Sequence, residues 1–254
     1  MKVISTKSVP LLQVCNVSKQ FGGNKVFNDV SLSLDAGEVL GVIGPNGAGK
    51  TTLINVISGQ IVPTSGQVLF DGRDISPMSF HRRSAAGLVR TFQQTKTFAS
   101  VSVMENLRNA RLFSGGGMAF ETECVANLLR EAGLLRRLDQ ISDTLPYGMQ
   151  KMLGLMMAFI TKPRVLLLDE PAAGLEKDER HFIDLYVKTA MQELGCCVLL
   201  VEHDMELVKR LCPGICVLDG GRIIAEGRPS EVLSRRDVIE AYLGAAGEED
   251  AIHA

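Results

Sequence analysis

The feature that most constrains this chain is a glycine-rich turn between an apolar run and a helical pattern. Val39–Ile43 is wholly apolar, residues 44–51 read G-P-N-G-A-G-K-T, and apolar side chains then follow at positions 53, 54, 56 and 57. The run predicts a strand buried on both faces, and the later spacing predicts a helix from about Gly49. The segment is therefore a strand–loop–helix unit, which indicates an α/β fold.

Two more apolar runs, Val165–Leu168 and Cys197–Val201, are separated by a helical pattern. Buried strands that alternate with helices predict a mainly parallel core sheet. Near the start of the chain, Leu11–Val17, Val30–Leu34 and Gln67–Phe70 have the composition and turn signals of short strands. They predict a separate N-terminal antiparallel β subdomain.

The middle of the chain has a different character. Residues from about 91 to 160 contain no strand-like run and read as helices interrupted by glycines at 115–117. We expect an inserted helical subdomain here, within a single domain of residues 1–240. Residues 241–254 form a small, acidic C-terminal tail.

The glycine-rich turn has the pattern and the strand-to-helix context of a phosphate-binding loop. Glycines let backbone N–H groups close around phosphate oxygens, and the helix adds its positive N-terminal end. Lys50 is placed to meet the β- and γ-phosphates, Thr51 to bind Mg²⁺ through its hydroxyl, and Thr52 to support the α-phosphate. The alternative is a glycine-rich turn without a ligand. The candidate nucleotide-binding residues are Gly44, Pro45, Asn46, Gly47, Ala48, Gly49, Lys50, Thr51 and Thr52.

Acidic and imidazole side chains follow the two later strands. Asp169 and Glu170 come after Val165–Leu168, where one carboxylate could hold Mg²⁺ and Glu170 could polarise an attacking water. His203 follows Cys197–Val201 and could contact the γ-phosphate or that water. The alternatives are a solvated acidic turn and a structural histidine.

The order and spacing of G-P-N-G-A-G-K-T-T, V-L-L-L-D-E-P and V-E-H-D resemble those of an ABC-type ATPase over nearly the whole chain. The resemblance implies ATP and Mg²⁺ as cofactors. It also implies that Asp169 is the magnesium aspartate, Glu170 the catalytic base and His203 the switch histidine. Gln93, in R-T-F-Q, corresponds to the glutamine that touches magnesium or water and links ATP to the membrane subunit.

Two further correspondences concern nucleotide contacts. Phe21 resembles the aromatic residue that stacks on adenine, although it could equally be ordinary core. The segment that normally reads L-S-G-G-Q is L-P-Y-G-M here, residues 145–149. In the family this segment contacts ATP held by the opposite subunit, so Gly148 is a candidate ATP contact. A helix start without nucleotide contact is the alternative.

The tyrosine in that segment, R-T-F-Q, D-E-P-A-A-G-L and E-A-Y-L-G together resemble the importer ATPases for branched-chain amino acids. Urea, amide and aromatic-acid importers of the same group look alike. The resemblance implies a second ATPase subunit, expected to be non-identical, two integral-membrane permeases and, indirectly, a solute-binding protein. Glu176 stands where most relatives have an aspartate.

Three other functions agree less well with this sequence. One is a soluble ABC ATPase of translation, repair or cluster assembly. A second cassette would suit many translation factors and a long coiled coil would suit repair proteins, but neither fits in 254 residues. A P-loop kinase or GTPase would have no use for the helical insertion or His203. A lipopolysaccharide-type exporter ATPase shares the cassette but resembles L-P-Y-G less.

Charge and hydropathy bear on the surroundings of the chain. Lys and Arg total 27 against 29 Asp and Glu, so we expect no nucleic-acid partner. No apolar run reaches the roughly 20 residues that span a bilayer, and a signal-like N-terminus is lacking. We expect a peripheral protein on the cytoplasmic face of the inner membrane. Docking to a permease helix is predicted for residues 95–106, through Phe98, Val101, Val103 and Met104.

Overall fold

Two β-sheets form the framework of the computed structural model, which describes residues 9–91, 97–115, 117–120 and 122–243. The strands within these residues are β1 (Leu12–Phe21), β2 (Asn24–Leu34), β3 (Val39–Ile43), β4 (Ser65–Phe70), β5 (Arg73–Asp74), β6 (Leu88–Arg90), β7 (Val165–Asp169), β8 (Cys197–Val201), β9 (Gly214–Asp219) and β10 (Arg222–Gly227).

Helices connect most of these strands. They are α1 (Lys50–Ser58), α2 (Phe80–Ala85), α3 (Val103–Phe113), α4 (Glu123–Glu131), α5 (Tyr147–Ile160), α6 (His181–Leu194), α7 (Met205–Leu211) and α8 (Pro229–Val232). Residues 236–243 are also helical. Within the described residues, no helix is long and apolar enough to cross a membrane.

Local sequence explains several helix ends. α3 begins with a capping box, in which the Ser102 hydroxyl accepts from the Glu105 backbone and the Glu105 carboxylate accepts from Ser102. α1 ends at Gly59, with φ of +81°, and α6 ends at Gly195, with φ of +60°. Glycine is favoured at both ends because only it enters the left-handed region at little cost.

The first sheet has the strand order β2-β1-β4-β5, and every pairing is antiparallel. The second has the order β10-β9-β3-β8-β7-β6. In it the strands from β9 to β6 are parallel, and only the β9–β10 hairpin is antiparallel. The predicted fold class is therefore confirmed, with a mainly parallel core sheet and an antiparallel N-terminal sheet.

The parallel sheet is buried on both faces, as its apolar strands predict. In β7, Leu166 and Leu168 pack with the helices α3–α6, whereas Val165 and Leu167 face α1 and the antiparallel sheet. Successive side chains of a strand point to opposite faces, so an unbroken apolar run is needed where both faces are covered. This arrangement leaves the strand ends as the places where polar side chains can meet.

Candidate nucleotide-binding site

Three adjacent strand ends bring the candidate residues together. β3, β8 and β7 are neighbours in the parallel sheet. The glycine-rich loop follows β3, His203 follows β8, and Asp169 and Glu170 end β7. Because carboxyl ends of parallel strands share one edge, residues far apart in sequence form one site there.

The loop depends on glycine for two different reasons. Gly44 has φ of +150°, and a Cβ atom on it would lie 2.0 Å from the Leu218 carbonyl oxygen of β9. Gly47 has φ of +77°, and no atom lies within 4 Å of its would-be Cβ. Gly44 therefore permits close packing against the sheet, whereas Gly47 supplies a left-handed turn whose outer side is open.

Lys50, the first residue of α1, points back over the loop. Its Nζ donates to the Gly44 carbonyl at 2.7 Å and to the Pro45 carbonyl at 2.9 Å. Burial lowers the pKa of Lys50, while the carboxylates of Glu170 and Asp169 raise it. The Lys50 ammonium group therefore lies close enough to the end of β7 to interact electrostatically with both carboxylates. Among the other loop residues, Ala48 is buried, and Asn46 and Thr51 are exposed.

Asp169 is almost completely buried and paired with Arg90. Arg90 Nη2 lies 2.8 Å from Asp169 Oδ2, and the two side chains are 5% and 3% exposed. Burial raises the pKa of Asp169, and Arg90 counteracts that rise. Arg90 Nη1 also donates to Asn55 and Gln60, so the guanidinium is held from several sides.

Glu170 and His203 face each other across the ends of β7 and β8. Glu170 Oε1 lies 3.9 Å from His203 Nδ1, and the side chains are 24% and 67% exposed. Glu170 has φ of +48°, a left-handed conformation that non-glycine residues seldom adopt. The carboxylate and the imidazole are thus close to each other and both reachable from solvent.

The donor chemistry fits a magnesium ion. Mg²⁺ prefers oxygen ligands and is commonly held by one or two carboxylates together with substrate phosphates. The Thr51 hydroxyl at the start of α1 and the Asp169 carboxylate are oxygen donors, and α1 and β7 are in contact. Gln93, the third predicted ligand, lies outside the described residues.

Phe21 is not core, so that alternative is wrong. Its side chain is 51% exposed at the end of β1, and Lys19 Nζ lies 4.7 Å from the ring centroid. An exposed aromatic ring beside a cation offers a face on which a planar ring could stack. Its role in adenine binding stays a prediction.

The altered signature segment forms the start of α5 and packs on its own chain. A Cβ atom on Gly148 would lie 2.2 Å from Glu179 Oε1. Gly174 has φ of +75°, and a Cβ atom on it would lie 2.6 Å from Tyr147 Cε1. Each glycine thus makes room for one large neighbour. Whether Gly148 also contacts a nucleotide on another subunit stays a prediction.

The residues predicted to dock a permease do not share one environment. Phe98 is 45% exposed, and Val101 and Met104 are partly buried. Val103 is completely buried in the core beneath α3, so its placement on a docking surface is wrong. It shares the buried face of this amphipathic helix with Leu107 and Ala110, one and two turns further on.

Three charged residues of the site belong to no motif that the sequence reveals. Arg90 pairs with Asp169, Lys151 is buried and donates to the Glu170 carbonyl at 2.9 Å, and Glu202 is buried and accepts from the Ala172 amide at 2.9 Å. A charged residue is normally expected on the surface, so nothing in the sequence marks these three as buried residues of the site. Only the fold brings each of them to its partner.

A phosphate loop on β3 with acidic and imidazole groups on the next two strand ends defines a P-loop ATPase of the ATP-binding-cassette class. Comparisons with known proteins agree. Residues 27–173 match the family described as ABC transporter. Residues 222–248 match the family described as branched-chain amino acid ATP-binding cassette transporter.

Individual relatives extend over nearly the whole chain. The high-affinity branched-chain amino acid transport ATP-binding protein BraF of Pseudomonas aeruginosa is 36% identical, covering 94% of this chain and 100% of BraF. The Nod factor export ATP-binding protein I of Cupriavidus metallidurans is 37% identical, covering 91% of this chain and 77% of that protein. The crystal structure of the ADP conformation of MJ1267, an ATP-binding cassette of an ABC transporter, superimposes with a TM-score of 0.80. It is 31% identical, and the match covers 93% of this chain and 99% of MJ1267.

The chain therefore belongs to the ABC transporter family, among its ATP-binding proteins of the branched-chain amino acid type. It is an ATP-binding and ATP-hydrolysing subunit, and its work is coupled to membrane permeases.

Proposed function

We propose that this chain hydrolyses ATP to drive the uptake of branched-chain amino acids. The observation that carries the proposal is the meeting of Glu170 and His203, 3.9 Å apart, beside the phosphate loop. The match to BraF, over its full length, together with the match of residues 222–248, favours this import branch over the exporter branch.

ATP binding falls to the loop and to α1. Backbone N–H groups of Asn46 to Thr51 would surround the phosphates, and Lys50 would turn from the Gly44 and Pro45 carbonyls to the β- and γ-phosphates. Phe21 would stack on adenine, supported by its exposed ring. Mg²⁺, held by Thr51, Asp169 and Gln93, would neutralise phosphate charge when bound.

Hydrolysis would use the two groups beyond the phosphates. The Glu170 carboxylate would accept a proton from the attacking water and orient it toward the γ-phosphate. His203 would donate to the γ-phosphate or hold the water, which its exposure allows. Positioning and charge stabilisation suffice because phosphoryl transfer needs little covalent participation from the protein.

A second ATPase subunit, not identical to this one, would complete the active site. Tyr147 replaces the first signature glycine, and Pro146 replaces the signature serine. Two copies of this chain would therefore form a site without either serine hydroxyl. Gly148 and the N-terminus of α5 would still offer backbone N–H groups to the partner's ATP.

The permease contact would involve Phe98 and Met104 around the start of α3 and the exposed side chains at the end of that helix. Phe98, Leu112 and Phe113 are exposed by 45%, 74% and 80%, and the two phenylalanine rings lie 6.5 Å apart between centroids. Exposed apolar groups that cluster mark interaction sites. Two permeases docked on two ATPase subunits would hold the chain on the cytoplasmic face of the membrane, and a solute-binding protein would deliver the cargo.

We propose that residues 91–160 act as the helical subdomain that carries this contact, within one domain of residues 1–240 and apart from the tail 241–254.

Reconstitution of the complete transporter in proteoliposomes tests the proposal. ATP-driven accumulation of leucine, abolished by Lys50→Ala, is the expected result. Uptake of urea or an amide without leucine would assign the chain to another importer of the group. ATP-driven movement in the opposite direction would favour the exporter reading.

A further inference from the structure

Lys151 is a buried lysine that holds the backbone after the catalytic strand. It lies on α5, three residues beyond Gly148, and is 4% exposed. Its Nζ donates to the Glu170 carbonyl at 2.9 Å and also to the Ala173 carbonyl. A buried ammonium group is costly unless it is well paired. Both of these hydrogen bonds go to the short backbone segment that follows β7.

Glu202 holds the same segment from the opposite side. Its side chain is completely buried. Its Oε1 accepts from the Ala172 amide at 2.9 Å, and its Oε2 accepts from the His203 amide at 3.1 Å. One carboxylate therefore links the backbone that follows Glu170 to the backbone of His203.

The two buried charges lie close enough to affect each other. Burial lowers the pKa of Lys151, and the Glu202 carboxylate, followed by that of Glu170, raises it. Replacing a buried pair by well-packed apolar residues is often neutral or stabilising. A contribution to stability therefore does not by itself explain why a lysine and a glutamate are buried here. A role in fixing the geometry of the site explains both.

The backbone of Glu170 is the part that needs such support. Its φ of +48° is unfavourable for a residue with a side chain, by about 1–2 kcal/mol. The Glu170 amide donates to the Val201 carbonyl at 2.9 Å, and its carbonyl accepts from Lys151. Both backbone polar groups of the strained residue are therefore held by hydrogen bonds, and they set the direction in which its side chain leaves the strand end.

We propose that Lys151 and Glu202 are positioning residues that aim the Glu170 carboxylate and keep it in register with His203. Because Lys151 lies on the helix that begins with the signature residues, the pair also transmits the position of that helix to the carboxylate. This inference rests on the proposed function of Glu170 and adds to it the residues that set its geometry.

The test compares three variants in the complete transporter. Lys151→Met should lower kcat for ATP hydrolysis by about 10²-fold, as a misplaced reacting group does, while ATP affinity and KM stay within about twofold. Lys151→Arg keeps a charged donor and should recover most of the rate. The matched control Lys188→Met removes an exposed lysine of α6 and should change nothing.

A double variant separates positioning from a merely structural role. With Glu170→Gln already present, Lys151→Met has no base left to misplace, so the residual rate should fall by less than about threefold. If the two losses in rate multiply fully, or if kcat is unchanged in Lys151→Met alone, the inference is overturned.

If Lys151→Met does not fold, Glu202→Gln replaces it, because it keeps the shape of the side chain and removes its charge. It should lower kcat with the same non-additivity, and an unchanged kcat would overturn the inference. A Glu170→Gln variant that turns over normally would instead refute the proposed role of Glu170.

Discussion

Arg90 and Asp169 form a buried ion pair across two neighbouring strands, with 2.8 Å between Nη2 and Oδ2. The contact reserves one carboxylate oxygen for the guanidinium and sets the direction of the other. Arg90 is itself fixed by Asn55 and Gln60 near the end of α1. The pair therefore links the proposed magnesium aspartate to the helix that begins at the phosphate loop.

Removal of Arg90 should change the pH dependence of magnesium binding. Burial raises the pKa of Asp169 and Arg90 lowers it, so Arg90→Met should raise that pKa further. Protonated Asp169 cannot bind Mg²⁺ well, so magnesium-dependent ATP affinity should be lost at a higher pH on acidification than in the wild type. Titrations of ATP affinity against Mg²⁺, between about pH 5 and pH 8, would detect the shift.

The same variant should lose about 3 kcal/mol of unfolding free energy, because a buried carboxylate is left unpaired. Arg164→Met is the matched control, since its pair with Asp71 is exposed. An Arg90→Met profile that coincides with the wild type would show that Arg90 does not tune Asp169.

The two loop glycines should respond differently to alanine. In Gly44→Ala the new Cβ would meet the Leu218 carbonyl oxygen, a backbone atom that cannot move aside, so both stability and ATP binding should fall. In Gly47→Ala only the left-handed backbone is strained, at a cost of about 1–2 kcal/mol, and ATP affinity should fall while the fold persists. Thermal unfolding and ATP titration would separate the two effects. Equal stabilities of the variants would contradict the packing argument.

Arg83 should be a major stabilising residue of the domain. It is 1% exposed, and its Nη1 donates to the Val56 and Ile57 carbonyls at the end of α1, at 2.8 and 2.7 Å. Arg83→Met would leave these carbonyls without their donor, and we expect the free energy of unfolding to fall by about 3 kcal/mol. The adjacent exposed Arg82→Met should change it by less than about 0.5 kcal/mol in chemical denaturation. Similar losses in both variants would refute this role.

The docking surface should be sensitive to charge. Phe98→Asp or Met104→Asp is expected to reduce co-purification with the permeases and transport, with ATP binding intact, because a charge would enter an apolar contact. Val62→Asp, at an exposed apolar residue elsewhere, is the control. Normal assembly and transport by the Phe98 and Met104 variants would exclude the surface, and unfolding would show that these side chains support the core.

The sequence predicted the strand ends of the site because a short apolar run followed by polar residues can be recognised from the local sequence alone. The observed β3 and β8 have the predicted bounds, and Asp169, Glu170 and His203 meet the phosphate loop as the parallel order requires. β6 was not predicted, since three residues are too short for a periodic signal. Arg90 lies on that strand and is 79 positions from Asp169.

The surroundings of Lys151 and Val103 could not be predicted from the sequence either, for two different reasons. The pattern around Lys151 resembles any amphipathic helix with a polar position, and only the packing of α5 against the end of β7 brings its amine to the Glu170 carbonyl. Val103 was placed on a surface because apolar residues cluster after Phe98. In the structure Val103 lies on the buried face of α3, together with Leu107 and Ala110, whereas Met104 is only partly buried.

The central claim is that Glu170 is the base of an ATP-hydrolysing site, and one variant tests it most directly. ATP affinity and hydrolysis should be measured for Glu170→Gln in the complete transporter, with the exposed Glu193→Gln of α6 as the control. The account predicts retained ATP binding, hydrolysis slower by about 10²–10⁴-fold, and a control that behaves as the wild type. Near-normal hydrolysis by Glu170→Gln would contradict it.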